Sequence, residues 1–335
     1  MKKVLAYSAF IAGPLIIIFL SLFIGRYPLS ISDVLNVLGF KIGFVELKSS
    51  DTSVNVIWDI RLPRIILGAI VGGSLAVSGA SFQGLFRNPL VSSGILGVSA
   101  GAGFGASLAI ILFQNQSTYI YLFAFSFGLL AVVLSYIIGF NYNSTPTIML
   151  VLGGVIVSAI FSSLVSLLKY IADPYEQLPS IVFWLMGSLA SAEFQDILIS
   201  AIPMSIGIIG LIAIRWRLNI LSMGDREAQA LGVNIFLVKG LAILFATLAT
   251  AGAVCVSGII GWVGLVIPHI GRMLVGNNNQ VLIPVSLSLG AGYLVLVDNL
   301  ARTLTGSEIP LGILTSLLGA PFFIYLLKRT KGRGW

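Results

Sequence analysis

Long apolar runs, each close to the length of a bilayer crossing and broken once by a sizeable polar island, are the feature that most constrains this chain. A helix needs about 20 apolar residues to cross the hydrocarbon core, and a shorter one survives there only when enclosed by other helices. Ten segments qualify: Val4 to Ile24, Ile65 to Phe82, Gly94 to Phe113, Tyr119 to Phe140, Thr147 to Leu168, Ile197 to Ile214, Ile235 to Ser257, a short Gly258 to Gly271, Ile283 to Ala301, and Pro310 to Leu327. The composition agrees: 57% of residues are hydrophobic and only 9% charged, where a soluble domain carries about a quarter charged. The expected fold is therefore all-α, a polytopic transmembrane bundle of about ten helices forming a single domain over residues 1–335. Lys2 and Lys3 resemble the start of a signal peptide, but the long apolar run behind them lacks a convincing small-residue cleavage site. A retained first helix is expected.

The island runs from Arg215 to Lys239 and centres on Gly224-Asp225-Arg226-Glu227-Ala228-Gln229-Ala230-Leu231-Gly232. A helical turn with this charge, an apolar ledge and a glycine at each end belongs in water, where a soluble partner can reach it. Basic residues fix the side. An even number of spans puts both termini together, with the tail residues Lys328, Arg329, Lys331 and Arg333 cytoplasmic. Twelve basic residues then face inward against the two acids Asp225 and Glu227, giving +10 inside and −3 outside, which agrees with the net +7. In a membrane protein this excess reports orientation, and a nucleic-acid partner is not implied.

Several chemistries lack their parts. No Gly-x-x-x-x-Gly-Lys-Ser/Thr loop occurs, so no nucleotide hydrolysis through that motif is expected of this chain. His269 has no second His, Cys or nearby carboxylate at ligand spacing, and the single Cys255 can form no disulfide within the chain. No metal or cofactor is expected on it, and no catalytic residue. Asp298 is the one acid inside a span; its spacing to Arg302 predicts an i,i+4 pair near a helix end. Most of the 37 glycines fall within spans, among them Gly72, Gly101, Gly105 and Gly264, where small residues let backbones approach. Three further polar clusters stand at span ends: Arg61-Leu62-Pro63-Arg64, with Pro63 suited to a first helical turn and both arginines able to reach water; Arg87-Asn88-Pro89-Leu90; and Pro268-His269-Ile270-Gly271-Arg272.

Taken in order, these clusters resemble the FecCD-type permease family, the membrane subunits of type II ABC importers for vitamin B12, iron-siderophores and haem. The likeness rests on Ile60 to Arg64, Gly79 to Leu90, Phe183 to Leu189, Gly224 to Gly232, Gly258 to His269, and Pro310-Leu311-Gly312 through Gly319-Ala320-Pro321, with Trp262 where many relatives carry Phe. It implies ten helices per subunit, a second permease subunit in a homodimer, two cytoplasmic ABC ATPases that carry the ATP and Mg, and an external substrate-binding protein. The location implied is the inner membrane of a prokaryotic cell.

The resemblance also assigns roles. Gly224, Asp225, Arg226, Glu227, Ala228, Gln229, Leu231 and Gly232 are expected to couple to the ATPase; Arg61, Arg64 and Arg302 to dock the binding protein; Asn88, Ser144, Thr145 and Thr147 to form a cytoplasmic gate. Import by alternating access is implied, of a metal chelate such as an iron-siderophore, haem or cobalamin, or alternatively of an oxyanion such as molybdate or tungstate. An ion-coupled secondary carrier is the competing class, and it would need acids inside the membrane.

Overall fold

A backbone in hydrocarbon must satisfy its own hydrogen bonds, and helices do this locally. The computed structural model describes residues 2–140 and 147–329, and its regular structure there is entirely helical. In chain order the helices are α1 (Lys2–Ser21), α2 (Ile31–Lys41), α3 (Asp51–Val54), α4 (Leu62–Phe86), α5 (Val98–Phe113), α6 (Ser117–Gly139), α7 (Thr147–Ile171), α8 (Gln177–Met186), α9 (Phe194–Leu221), α10 (Asp225–Ala230), α11 (Ile235–Ser257), α12 (Val263–Val275), α13 (Asn279–Thr303) and α14 (Leu311–Arg329). Each of the ten expected segments contains a helix. Among the described residues, six helical stretches are long and apolar enough to cross a membrane: Asp51–Phe86, α6, α7, α9, α11 and α13. Shorter apolar helices include α5, α8 and α12.

The second stretch begins earlier than expected. A π-helical turn, Asn55–Arg61, joins α3 to α4, and the Leu62 amide donates to Ile57, five residues back. Pro63 has no amide to give. The widened turn lets the helix run on through it, so the Arg61–Arg64 cluster lies inside a helix of 36 residues instead of opening one.

Helix α4 is the pillar of the bundle. It packs against α9, α11, α12 and α13, and Val71, Ala76, Val77, Ala80 and Phe82 are wholly buried. Close approach depends on glycine. A Cβ on Gly72 would lie 2.3 Å from the Gly290 carbonyl oxygen on α13, and one on Gly290 would lie 2.4 Å from that of Gly72. The two backbones therefore touch. A second group, α5 with α6 and α7, is joined to the pillar through α11.

One break interrupts the bundle. Between α11 and α12 the chain leaves the helix from Gly258 to Trp262, with Trp262 at φ 68°. The break is braced by the two residues after α8: the Ser188 amide donates to the Ser257 carbonyl at 2.8 Å, and the Leu311 amide to that of Gly187 at 2.9 Å. Gly258 and Ile260 are buried while Gly261 is exposed, and such backbone is tolerable at membrane depth where it is enclosed by protein or lines a cavity.

Candidate functional site

The core of the island folds as a short helix between two glycine turns, and its flanks extend α9 and α11. After α9 the chain turns at Gly224, φ 143°, and α10 follows with Asp225 and Glu227 in its first turn, where acids complement the helix dipole. The Gly232 amide donates to the Gln229 carbonyl and the Val233 amide to that of Ala228, each at 3.0 Å. With Gly232 at φ 77°, this is a Schellman stop. Asn234 then caps α11, accepting from the Leu237 amide at 3.0 Å.

One side of α10 is anchored. Ala228 is fully buried in a cluster with Leu218, Leu221, Val233 and Val238. The Lys239 ammonium, itself enclosed, donates to Asp225 at 2.6 Å. Arg87 approaches the other oxygen of Asp225 at 3.8 Å. The opposite side is open: Arg226, Glu227, Gln229, Ala230, Leu231 and Gly232 are exposed, and so is Met223. The result is a mixed polar and apolar face, fixed at its back and presented outward.

Arg87 ends α4 in the left-handed conformation at φ 51°, uncommon for a side-chain-bearing residue and costing about 1 kcal/mol. Asn88 follows, exposed, its side-chain oxygen accepting from the Leu90 amide at 2.9 Å. Both residues border a cavity of about 670 Å³, lined also by Gln83, His269, Arg272 and Asn279. Of the other expected gate residues, Thr147 begins α7, half-buried and outside this lining, while Ser144 and Thr145 lie outside the described residues. Ser222, just before α10, also lines the cavity. Arg272 and Asn279 carried no role in the sequence reading; the polar Pro268–Arg272 cluster was the available signal for Arg272, and its neighbours come from distant helices.

The three arginines expected at the outer face gather at the other end of α4, about 34 Å away at 1.5 Å per residue. Their placement corrects the expectation that Arg61 and Arg64 reach water. Arg61 is 3%, Arg64 5% and Arg302 6% exposed. Arg64 grips Asp298 with Nε and Nη2 at 2.9 and 2.8 Å and holds Glu308 with Nη1 and Nη2, both at 2.9 Å. Arg61 donates to the carbonyls of Leu22 and Tyr27. Arg302 donates to the Ser21 carbonyl at 3.0 Å and to the Asn299 side chain. The reason is the longer helix: it carries Arg61 and Arg64 into the bundle beneath the segment after α1, where each guanidinium finds carbonyls or carboxylates. The expected Asp298–Arg302 contact is present at 3.9 Å, but Arg64 is the nearer partner of Asp298.

A polytopic helical bundle with an exposed amphipathic turn between two spans and a polar cavity at the same end defines a membrane permease. The chain matches the FecCD transport family over residues 14–329, and it belongs to that family. It is 45% identical to the molybdate import system permease protein MolB of Haemophilus influenzae, over 92% of each chain. It is also 40% identical to the cobalamin import system permease protein BtuC of Halobacterium salinarum, over 84% of this chain and 76% of that one. A solved structure described as an inward-facing, candidate metal-chelate type ABC transporter superposes with a TM-score of 0.86 and 41% identity, covering 98% of this chain and all of that one.

Proposed function

We propose that this chain is the membrane subunit of an ATP-driven importer, paired with a second copy and powered by separate ATPases that seat on α10. The observation that carries the reading is α10 itself. It is a short, glycine-bounded helix with its back held to α11 by Lys239 and to α9 through buried Ala228, and its face open. Such an element moves as a unit when a partner moves it. On this reading the α10 end is cytoplasmic, the Arg64 end is external, and the cavity beside Asn88 is the inner mouth of the path.

Asp298 argues against the ion-coupled alternative. A carrier needs an intramembrane acid free to exchange its ion, whereas Asp298 is gripped by Arg64 through two nitrogens. Since Arg61, Arg64 and Arg302 are committed internally, we assign them the bracing of the external end where a binding protein would dock. The expected solute was a metal chelate. The cationic inner cavity favours the second reading, a negatively charged oxyanion.

Reconstitution tests the proposal. Uptake into proteoliposomes should require ATP and the separate ATPase. Uptake driven by an ion gradient without ATP would contradict it.

A further inference from the structure

We propose that the cavity between the ends of α4 and α12 is a binding site for a tetrahedral oxyanion on its way out of the path. The inference deepens the importer reading and rests on it.

The first ground is charge. Arg87 and Arg272 both line the cavity, and among the described residues no Asp or Glu does. The acid beside Arg87 is Asp225, outside the lining, which Lys239 already holds at 2.6 Å while Arg87 stands at 3.8 Å. Arg272 has no ion pair among the described residues. Its Nη2 is shut off from solvent without a hydrogen-bond partner. An enclosed cation without compensation is unfavourable and makes the local potential positive. A preference for basic residues on the cytoplasmic side explains which end they occupy. It does not explain a guanidinium set into a cavity wall with no anion beside it.

The second ground is the kind of polar group around those charges. The side-chain oxygen of Asn88 is taken by the Leu90 amide, which leaves its NH₂ as the free end. Asn277 and Asn279 add two more amides to the wall. Gln83 spends its amide N–H groups on the carbonyls of Val91 and Gly264 at 3.0 and 3.2 Å, and its side-chain oxygen is enclosed without a partner, so Gln83 offers the cavity no donor and the cationic and amide groups beside it must outweigh that acceptor. Guanidinium and amide donors around a roomy space suit a small multi-oxygen anion.

The third ground separates oxyanion from macrocycle. Among the described residues no Phe, Tyr or Trp lines the cavity, so a haem or corrin ring would find no aromatic face there to stack on. At about 670 Å³ the space exceeds a tetrahedral oxyanion and its first waters. Binding there depends on charge more than on fit, and a weakly held solute can leave.

The test uses the permease assembled with its ATPase, without nucleotide, in equilibrium dialysis against molybdate with metal analysis. Saturable binding of one molybdate per permease chain is expected. It should weaken about tenfold or more in Arg272→Gln, as for loss of a charge-assisted hydrogen bond. It should weaken likewise in Asn277→Asp, an exposed loop change that adds negative charge without disturbing the core. A neutral ferric hydroxamate chelate should not displace the molybdate. Absence of saturable binding, equal binding in wild type and both variants, or displacement by the chelate would each overturn the site. If ATP-driven uptake of another solute persists while molybdate fails to bind, the site falls and the importer reading stands. Molybdate binding without any ATP-driven uptake would be the reverse.

Discussion

Arg64 shows how much a single side chain can organise. Its guanidinium joins α4 to α13 through Asp298 and to the segment before α14 through Glu308. Removing one partner of an enclosed pair leaves the other charge uncompensated, which costs about 3–5 kcal/mol. Arg64→Met should therefore lower the thermal unfolding midpoint of the purified protein sharply. Adding Asp298→Leu should recover much of that loss, since Glu308 is partly solvated and can turn to water. An unchanged midpoint in Arg64→Met would contradict the bracing role. At this scale the sequence was partly legible: the spacing of Asp298 and Arg302 announced a pair. Arg64 is 234 positions from Asp298, and nothing local marks it as the stronger partner.

At the scale of elements, the glycine contacts carry the sharpest expectation. Gly290→Val sets a side chain where a Cβ alone would lie 2.4 Å from the Gly72 carbonyl oxygen, prising α13 from α4. Overpacking of this sort costs about 1–3 kcal/mol and should show as a lower unfolding midpoint and poorer recovery of monodisperse protein. Gly261→Ala, where an added Cβ meets nothing within 4 Å, should leave both unchanged. Equal effects of the two would show that packing is not what these glycines serve. The core of the island was legible because Gly224 and Gly232 stand at the two ends of α10, while its flanks from Arg215 and to Lys239 are continuations of α9 and α11. The start of the second span was not, because Pro63 signals a helix opening and only the shift to an i to i−5 bond at Leu62 lets the helix continue upstream. Helix α8, ten residues long, falls below span length. Its place is set by contacts with α5 and α14, not by its own sequence.

For the whole molecule, the claim is that the α10 end and the Arg64 end lie on opposite sides of a membrane. Single cysteines at the exposed positions Asn277 and Ser307 test it in intact cells with an impermeant thiol reagent. The native Cys255 is 3% exposed and should stay silent. Ser307→Cys should label from outside and Asn277→Cys only after the membrane is opened; labelling of both from one side would contradict the topology. The membrane class and the order of spans followed from apolar run length, and the basic-residue bias gave the expected orientation. The inner cavity did not follow, because Gln83, Arg272 and Asn279 become neighbours only when α4, α12 and α13 pack.

In the proposed importer α10 is the lever between ATPase and permease. The direct measurement is ATP-driven solute uptake, together with co-purification of the ATPase, in proteoliposomes carrying Asp225→Lys with Glu227→Lys. The charge reversal breaks the contact with Lys239 and inverts the first turn of the helix. Uptake should be lost, with the ATPase dissociating or running uncoupled. Wild-type uptake with the ATPase still bound would contradict this role of α10.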